Sequence, residues 1–222
     1  MQLRHKPYEG LFITLEGGDG CGKSTLSALL SKELAKKGYP VLKTREPGGT
    51  PLSEHLRDVV LKPDPNRPVG ERAELLLFLA ARVQHIDEVI LPALRDRKLL
   101  ICERFNDSTI AYQGCRKHVG VHVAEQICDL ACNHLVPDLT LLLDLDPIIG
   151  LQRLSKERKN LDRLEQEELQ FHIEVRTAYL HLADKYPERI IIIDGSATPE
   201  EVCAASLKAL EPHLMLKPTS LS

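Results

Sequence analysis

Short apolar runs alternate with helical patterns from one end of the chain to the other. Five of the runs are predicted to be strands, at residues 11–15, 41–44, 99–102, 139–145 and 189–193. Most of these runs lack polar alternation, which is typical of a parallel sheet that is covered on both faces. The pattern therefore predicts an α/β fold, a three-layer sandwich in which helices flank a five-stranded parallel sheet.

The segments between the predicted strands have helical periodicity. Residues 24–37 end at Gly38, a common signal after a helix, and residues 51–61 begin with a proline at the first helical position. The other predicted helical segments are 71–94 with Pro92 near its end, 107–134 with a break at 114–120, 150–186 around a charged middle at 156–162, and 199–210. Residues 62–68 are rich in proline and are predicted to be a loop. Because no repeat or long linker interrupts the pattern, we expect one domain over residues 1–222.

The composition argues against several classes of protein. A net charge of −3, an aromatic content of 4% and the lack of Trp do not favour a nucleic-acid-binding surface. None of the six cysteines forms a C-x-x-C pair, so buried thiols are expected rather than zinc ligands or disulfides. The first ten residues lack the apolar stretch of a signal peptide, and no later run is long enough to span a bilayer. We therefore expect a cytoplasmic protein.

The strongest functional signal follows the first predicted strand. Residues 17–24 have the sequence GGDGCGKS, which matches the phosphate-binding pattern G-x-x-x-x-G-K-[ST] between a strand and a helix. The glycines let backbone N–H groups face phosphate oxygens, Lys23 would neutralise the β- and γ-phosphates, and the Ser24 hydroxyl would bind Mg²⁺. The predicted nucleotide-binding set is Gly17, Gly18, Asp19, Gly20, Cys21, Gly22, Lys23, Ser24 and Thr25.

A phosphate-binding loop does not by itself identify a reaction, because kinases, GTPases and motor ATPases all contain one. A GTPase would need the guanine-binding pattern N-K-x-D, which the chain lacks. Motor ATPases are usually longer than 222 residues and carry further modules. A kinase that acts on a small substrate is therefore favoured.

Three further stretches lie at or near the carboxyl ends of predicted strands, where ligands bind in open α/β sheets. Arg45 follows the second strand and could bind a phosphate with both arms of its guanidinium group. Phe78 and Arg82 are four residues apart on one helical face, so they could stack on a base and contact its carbonyl oxygen; a core ring beside a solvated arginine is the alternative. Glu103 and Arg104 follow the third strand, where they could contact Mg²⁺ and a phosphate or form a plain salt bridge.

Six motifs together resemble the thymidylate kinase family. In chain order they are LEGGDGCGKST, TREPGGT, LFLAARVQH, ERFNDSTIAYQG, PDLTLLLDLDP and the charged stretch that ends in LDRLEQ. The resemblance covers residues 11–202 and implies a P-loop kinase that transfers the γ-phosphate of ATP to dTMP, giving dTDP for dTTP synthesis in DNA replication. It further implies Mg²⁺ as cofactor and a homodimer, for which the long helix that starts at residue 71 could supply the contact face.

The resemblance also implies roles for particular residues. Arg45 and Arg104 match arginines that hold the dTMP phosphate. Phe78 matches the ring that stacks on thymine, and Arg82 matches the side chain that contacts a thymine carbonyl group. Asp19 matches a carboxylate that accepts a hydrogen bond from the sugar 3′-hydroxyl. The residues that match the lining of the base and ribose pocket are Ser108, Thr109, Tyr112 and Gln113, and the Tyr112 ring would favour deoxyribose.

Members of the family differ in the position of a mobile positive charge. One type has an arginine directly after the acidic residue of the P-loop, where this chain has Gly20. The basic stretch that begins at Arg153 resembles the lid of the other type, so we expect a mobile lid over about residues 150–163. Arg153 and Arg158 are both candidates for contact with the transferred phosphoryl group. A solvated helix face is the alternative on composition alone.

Position 103 departs from the family pattern, which usually has Asp where this chain has Glu103. The longer side chain leaves its role as a catalytic or metal-binding carboxylate open, and Asp144 is a weaker candidate that could equally cap the following helix. Two rival functions are compatible with the residues. One is a kinase for UMP, CMP or a deoxynucleoside, and the other is a nucleotide-binding regulator without catalytic activity.

Overall fold

Five parallel strands form one sheet. The computed structural model describes residues 8–62, 66, 68–157 and 161–214. The strands are β1 (Leu11–Glu16), β2 (Val41–Arg45), β3 (Leu99–Glu103), β4 (Leu139–Asp144) and β5 (Ile190–Asp194). They lie in the sheet in the order β2-β3-β1-β4-β5. The predicted α/β class and parallel sheet are confirmed, and each strand lies within one residue of its predicted bounds.

Helices cover both faces of the sheet. They are α1 (Lys23–Lys36), α2 (Pro51–Leu61), α3 (Glu71–His85), α4 (Leu91–Arg95), α5 (Asn106–Tyr112), α6 (Val121–Ala131), α7 (Pro147–Glu157), α8 (Leu169–Lys185) and α9 (Pro199–Leu210). One core cluster packs α1 and α9 against the sheet through Leu30 and Leu210. The others pack α2 to α6 and α8 on the opposite side, around Phe12, Leu79 and Val175. The three-layer arrangement follows from strands whose two faces are both apolar.

The register of the sheet sets the position of the functional residues. Glu103 pairs with Leu15 on one side and with Arg45 on the other. The carboxyl ends of β1, β2 and β3 therefore meet at one edge, and the loops that leave these strands surround the same space. This edge is where parallel α/β sheets bind ligands.

The helix predicted over residues 71–94 differs from the observed one in its second half. A π-helical turn at Ile86–Ile90 separates α3 from α4. Pro92 lies directly beyond this turn, at the second residue of α4. Because proline lacks the N–H group that an α-helix would use at this point, a local change of hydrogen-bond spacing lets the chain continue without a break.

The other predicted helices are confirmed with small shifts. The segment predicted over 107–134 consists of α5 and α6, and the one predicted over 150–186 consists of α7 and α8. Residues 158–160 in its charged middle lie outside the described residues, as do 63–65 and 67 of the predicted loop. No helix in the described part of the chain is both long enough and apolar enough to cross a membrane.

Candidate active site

A cavity of about 730 Å³ opens at the carboxyl edge of the sheet. The predicted site residues that line it are Asp19, Gly20, Cys21, Gly22, Lys23, Ser24, Thr25, Arg45, Phe78, Arg82, Glu103, Arg104, Ser108, Thr109, Tyr112, Gln113 and Arg153. Gly17 and Gly18 lie beside them, between β1 and the rest of the loop. Arg158 lies outside the described residues. The fold thus brings residues from distant parts of the chain into one space.

The phosphate-binding loop encloses the ammonium group of Lys23. Its Nζ atom donates hydrogen bonds to the carbonyl oxygens of Gly17 (3.1 Å) and Gly18 (2.7 Å). Gly22 has a left-handed backbone (φ 94°) and directly precedes α1. The N-terminal end of α1 therefore faces the cavity with its backbone N–H groups, which is the arrangement that binds phosphate.

Gly20 has a structural reason to be a glycine. Its backbone is left-handed (φ 72°), and a Cβ atom at this position would overlap the carbonyl oxygen of Gly150 in α7. An arginine could not be placed there without displacing the start of α7. The close contact between the loop and α7 thus explains why this loop carries no arginine after Asp19.

Ser24 and Glu103 meet at the cavity wall. The Ser24 hydroxyl donates to Oε2 of Glu103 over 2.6 Å, which joins the start of α1 to the end of β3. Asp144 takes a different position, since Arg176 donates to both of its carboxylate oxygens at 2.7 and 2.9 Å. It is not among the residues that line the cavity. The start of α7 is capped instead by Asp146, which accepts from the backbone N–H of Ile148 (2.8 Å).

Arg104 lies at the centre of the cavity wall. Its backbone is left-handed (φ 69°), which turns the side chain back towards the phosphate-binding loop. The guanidinium group forms an ion pair with Asp19 and donates to Ser108 Oγ (3.2 Å), Tyr112 Oη (3.3 Å) and the carbonyl oxygen of Gly17 (3.3 Å). The backbone conformation and this set of contacts fix the direction of the positive charge.

Asp19 is surrounded by donors. Tyr112 Oη donates to its second carboxylate oxygen over 2.7 Å, and His172 Nδ1 lies 3.9 Å from that oxygen. Burial by itself raises the pKa of Asp19, but the positive charges of Arg104 and Lys23 outweigh it, so the pKa is lowered. Asp19 is therefore held as a carboxylate, and its contact with Tyr112 joins the P-loop to α5.

A second buried carboxylate, Glu16, ends β1. It accepts hydrogen bonds from the backbone N–H of Phe105 (2.7 Å), from Ser108 Oγ (2.5 Å) and from Tyr179 Oη (3.1 Å). Burial and the nearby negative charge of Asp107 raise the pKa of Glu16 to about 7. The hydrogen bonds connect β1 to α5 and α8, and one of them holds the backbone directly after the left-handed Arg104.

Two arginines converge beside the turn that follows β2. Nη1 of Arg45 and Nη1 of Arg57 donate to the same oxygen, the carbonyl of Pro47, at 2.8 and 3.0 Å. Arg45 is also held by Glu54, whose two oxygens accept at 3.0 Å. Gly48 lies against the side chains of both Arg45 and Glu54. A Cβ atom at this position would overlap both of them, so only glycine fits here. Two guanidinium groups so close together are an arrangement that suits the binding of an anion.

Phe78 and Arg82 form the opposite side of the cavity, one helical turn apart on α3. Arg82 is almost fully buried, and it donates through Nε to Glu46 (2.5 Å) and through Nη1 to Thr109 Oγ1 (2.8 Å). His85 Nδ1 lies 2.8 Å from the other oxygen of Glu46. Although burial alone would lower it, the pKa of Arg82 is raised by Glu46. Arg82 is thus a fixed, charged donor beside an aromatic ring.

Gln113 is the other polar group on this side of the cavity. Its Nε2 atom donates to Oε1 of the buried Glu74 over 2.8 Å. Arg163 donates to the second oxygen of Glu74 and is itself held by the carbonyl oxygen of Val60 (2.9 Å). The amide of Gln113 is therefore fixed from behind by an ion pair between α3 and the segment that precedes α8.

Arg153 lines the cavity near the phosphate-binding loop, from the middle of α7. Its Nη1 atom donates to the carbonyl oxygen of Gly195 over 3.1 Å, just beyond β5. The positive charge therefore lies on the side of the cavity that is formed by Gly20 and Gly195 rather than on the side of Phe78.

Comparison with known proteins identifies the family. The family model described as thymidylate kinase matches residues 15–205 of this chain. The chain belongs to the thymidylate kinase family. Members of the family phosphorylate dTMP with ATP as the phosphoryl donor.

Known members of the thymidylate kinase family match nearly the whole chain. A thymidylate kinase from Protochlamydia amoebophila is 46% identical over 210 residues, which are 92% of this chain and 93% of the relative. One from a Synechococcus strain is 47% identical over 206 residues, 93% of this chain and 97% of the relative. A crystal structure of thymidylate kinase from Ehrlichia chaffeensis is 33% identical, with a TM-score of 0.75, and the match covers 91% of this chain and 99% of that one.

Several residues that line or support this cavity were not predicted from the sequence. Glu16, Arg57, Glu74 and Arg163 all contribute to the site through contacts that are distant in sequence. For Arg57 a signal was present, since it lies one turn beyond Glu54 on an amphipathic helix next to the loop that contains Arg45. For the buried carboxylates no local pattern shows that they are internal.

The raised pKa of Glu16 predicts a dependence of stability on pH. Because the pKa in the folded protein lies above the ordinary value of 4.5, the stability that this group contributes is complete below pH 4.5 and is lost as pH rises through about 7. Relative to Glu16→Gln, the wild type should therefore lose on the order of 2–3 kcal/mol of unfolding free energy between about pH 4.5 and pH 8.

Urea unfolding of both proteins across this pH range measures the difference. Glu188→Gln, a change at an exposed carboxylate, is the matched control and should follow the wild type at each pH. A difference between wild type and Glu16→Gln that stays constant with pH, or grows in the opposite direction, would contradict the assignment.

Proposed function

We propose that this chain transfers the γ-phosphoryl group of ATP to dTMP, giving dTDP and ADP, with the residues of the cavity in the roles described below. The strongest support for the proposal is that three parts line one cavity. They are the phosphate-binding loop, a group of three arginines (Arg45, Arg57 and Arg104), and a pocket formed by the Phe78 ring and the buried Arg82. These parts suit, in turn, a triphosphate, an acceptor phosphate and a base.

The donor side is the phosphate-binding loop with residues 17–25. ATP phosphates would accept hydrogen bonds from the backbone N–H groups at the start of α1, and Lys23 would exchange its bonds to Gly17 and Gly18 for β- and γ-phosphate oxygens. The glycines and the helix end carry positive potential before the nucleotide arrives. These groups then need little reorganisation when negative charge develops on the phosphate oxygens in the transition state.

Ser24 and Glu103 suit a magnesium ion. Both offer oxygen ligands, which Mg²⁺ prefers, and their 2.6 Å contact places the hydroxyl and the carboxylate at one point of the cavity wall. When bound, Mg²⁺ would neutralise charge on the β- and γ-phosphate oxygens. Since Mg²⁺ retains several waters, Glu103 would hold the ion through one of these waters, and Ser24 would bind it directly.

The acceptor side is formed by Arg45, Arg57 and Arg104. Arg45 and Arg57 already share an oxygen acceptor, and Arg104 is aimed at the space beside the P-loop. A dTMP phosphate would bind between these guanidinium groups. Asp19 would accept from the sugar 3′-hydroxyl, and the Tyr112 ring, fixed by its bond to Asp19, would exclude a ribose 2′-hydroxyl.

The base would stack on Phe78 between the polar groups of α3 and α5. Arg82 can only donate, so it matches a carbonyl oxygen such as O4 of thymine. Ser108, Thr109 and Gln113 complete the lining of this pocket. One methyl group separates dTMP from dUMP, and this difference is worth only about 1–3 kcal/mol in an apolar pocket.

The chemical step then needs placement and charge neutralisation rather than a general base. An oxygen of the dTMP phosphate, already anionic near neutral pH, forms a bond to the γ-phosphorus atom while the bond from this atom to the β,γ-bridging oxygen breaks. Lys23 and Arg104 would stabilise the charge on the two sides of the transferred group. The electron pair of the broken bond stays on ADP.

A lid over about residues 150–163 would add positive charge to the transferred group. Arg153 lines the cavity, and Arg158 is the second candidate. The steric contact between Gly20 and Gly150 supports this role, because it prevents the P-loop from carrying an arginine of its own. The lid belongs to the single kinase domain that we propose for residues 1–222. We place the protein in the cytoplasm, where its free cysteine thiols suit a reducing environment.

A homodimer is proposed from an exposed apolar surface on α2 and α3. Leu52 and Val59 lie seven residues apart on α2, and Leu76 and Val83 lie seven residues apart on α3. The two helices pack against each other, so the four side chains form neighbouring stripes, with Leu76 59% exposed and Val59 54% exposed. Two such stripes on each subunit suit a symmetric contact with a second copy.

One prediction tests the kinase activity together with the roles of Lys23 and Arg153. Wild-type protein should release ADP with dTMP, to a lesser degree with dUMP and poorly with UMP, CMP or a nucleoside.

Lys23→Ala should lower kcat by about 10²-fold or more, as loss of an electrostatic stabiliser does. Arg153→Ala should lower kcat with little change in the KM for dTMP if it provides the lid charge. Lys36→Ala, at an exposed lysine of α1, is the control. Turnover with UMP or CMP above that with dTMP, or no turnover at all, would contradict the proposal.

A further prediction concerns Glu103. Glu103→Gln should lower kcat by at least about tenfold, because an amide is a weaker partner for a metal-bound water. Glu103→Asp should keep measurable activity. Measuring kcat against Mg²⁺ concentration for both variants separates a metal role from a structural one. If Glu103→Gln equals wild type at every Mg²⁺ concentration, Glu103 has no part in holding the ion.

Another prediction concerns the dimer. Leu76→Glu places a charge in the proposed contact and should convert a dimer to a monomer in sedimentation equilibrium. Ile192→Glu, at an exposed residue of the edge strand β5, is the matched control and should not change the mass. A wild-type protein that sediments as a monomer at micromolar concentration would refute the contact.

A further inference from the structure

The amide of Gln113 is held by a chain of polar contacts that runs away from the cavity. Gln113 donates through Nε2 to Oε1 of Glu74, and Arg163 donates to Oε2 of the same carboxylate. Glu74 and Gln113 are almost fully buried. Arg163 is fixed in turn, because its backbone N–H and its Nε atom donate to Leu61 and Val60 (both 2.9 Å).

In this series of contacts, the roles of donor and acceptor are fixed: Arg163 and Gln113 donate, and Glu74 accepts. A guanidinium group can only donate, and a carboxylate paired with it can only accept. Gln113 by itself could place either its oxygen or its NH₂ group towards the cavity, since the two ends of an amide have nearly the same shape. Glu74 removes this freedom, because only the NH₂ end of Gln113 can bond to it. The amide oxygen is therefore the end that remains for a ligand in the cavity.

We propose that Glu74, held by Arg163, is a positioning residue that determines base specificity by keeping the oxygen of Gln113 turned towards the base. This inference rests on the proposed function, in which the base lies against Phe78 and Gln113. An acceptor at this point selects a pyrimidine whose ring nitrogen carries a hydrogen, as N3 does in thymine and uracil. It rejects cytosine, whose N3 atom is itself an acceptor.

Arg82, the neighbouring polar group, also favours thymine or uracil over cytosine. Arg82 is a donor whose direction is fixed by the buried carboxylate of Glu46, and it matches a carbonyl oxygen rather than the amino group of cytosine. The two polar contacts to the base are thus each oriented by a buried carboxylate, Glu46 for the donor and Glu74 for the acceptor. Together they match the adjacent N3–H and O4 groups of thymine.

Glu74→Gln tests the inference because it should invert the chain of contacts rather than break it. Arg163 still donates, so the oxygen of the introduced amide should face Arg163 and its NH₂ group should face Gln113. Gln113 must then turn its oxygen inward and present its NH₂ group to the base. We expect kcat/KM for dTMP and for dUMP to fall in parallel by roughly 10- to 100-fold, while kcat/KM for dCMP rises relative to both. The KM for ATP should not change.

A swapped pair provides the rescue. In the double variant Glu74→Gln, Gln113→Glu, the introduced amide can donate to the introduced carboxylate, which again presents an acceptor oxygen to the base. The preference for dTMP over dCMP should return towards the wild-type ratio. Gln113→Ala is the matched control, since it removes the contact without inverting it and should reduce the discrimination without favouring dCMP.

The outcomes separate the inference from the proposed function. Wild-type protein that does not phosphorylate dTMP would refute the function itself. If the wild type is active but Glu74→Gln lowers kcat/KM for dTMP, dUMP and dCMP by the same factor, or the swapped pair does not recover dTMP preference, the specificity role is wrong. Circular dichroism and thermal unfolding check the fold of each variant. Loss of the folded state in both variants would assign the pair to stability alone and would also overturn the inference.

Discussion

The site depends on one buried carboxylate at the end of the first strand. Glu16 accepts hydrogen bonds from the backbone of Phe105 and from the hydroxyl groups of Ser108 and Tyr179, which belong to separate elements of the fold. A buried carboxylate is unfavourable without such donors, so these elements are required to meet at this point. Their meeting fixes the turn in which Arg104 takes its left-handed backbone. The position of the central positive charge thus follows from satisfying a buried negative one.

The same principle recurs around the cavity. Arg104 is paired with Asp19, Arg45 with Glu54 and Arg82 with Glu46, so these three guanidinium groups are oriented by carboxylates behind or beside them. Such pairs hold long side chains in one direction and reduce the entropy that is lost when an anion binds. These ion pairs also oppose the binding of weak anions, because a phosphate must compete with Asp19 for Arg104 and with Glu54 for Arg45. A dianionic phosphate that contacts several guanidinium groups at once can do so.

Much of the fold and part of the site could be predicted from local sequence. Short apolar runs located the strands to within one residue, and the glycine pattern before α1 located the phosphate-binding loop. The four-residue spacing of Phe78 and Arg82 indicated a shared helical face, and both line the cavity. The π-helical turn before Pro92 was not predicted, because a proline within a helical pattern is compatible with a stop, a kink or a changed hydrogen-bond spacing. Packing against neighbouring elements decides among these.

By itself, the sequence determined the succession of strands and helices along the chain. It also determined the phosphate-binding loop and the residue types available at the strand ends. These features depend on contacts between residues that are near in the chain, so their patterns are local. Tertiary structure decided which charges meet: Glu16 with Tyr179, Glu74 with Arg163, and Arg57 with the turn that holds Arg45. It also decided that Asp144 pairs with Arg176 instead of facing the cavity. The physical reason is that a charged side chain satisfies its hydrogen bonds with whatever the fold brings near it, and local spacing carries no record of that partner.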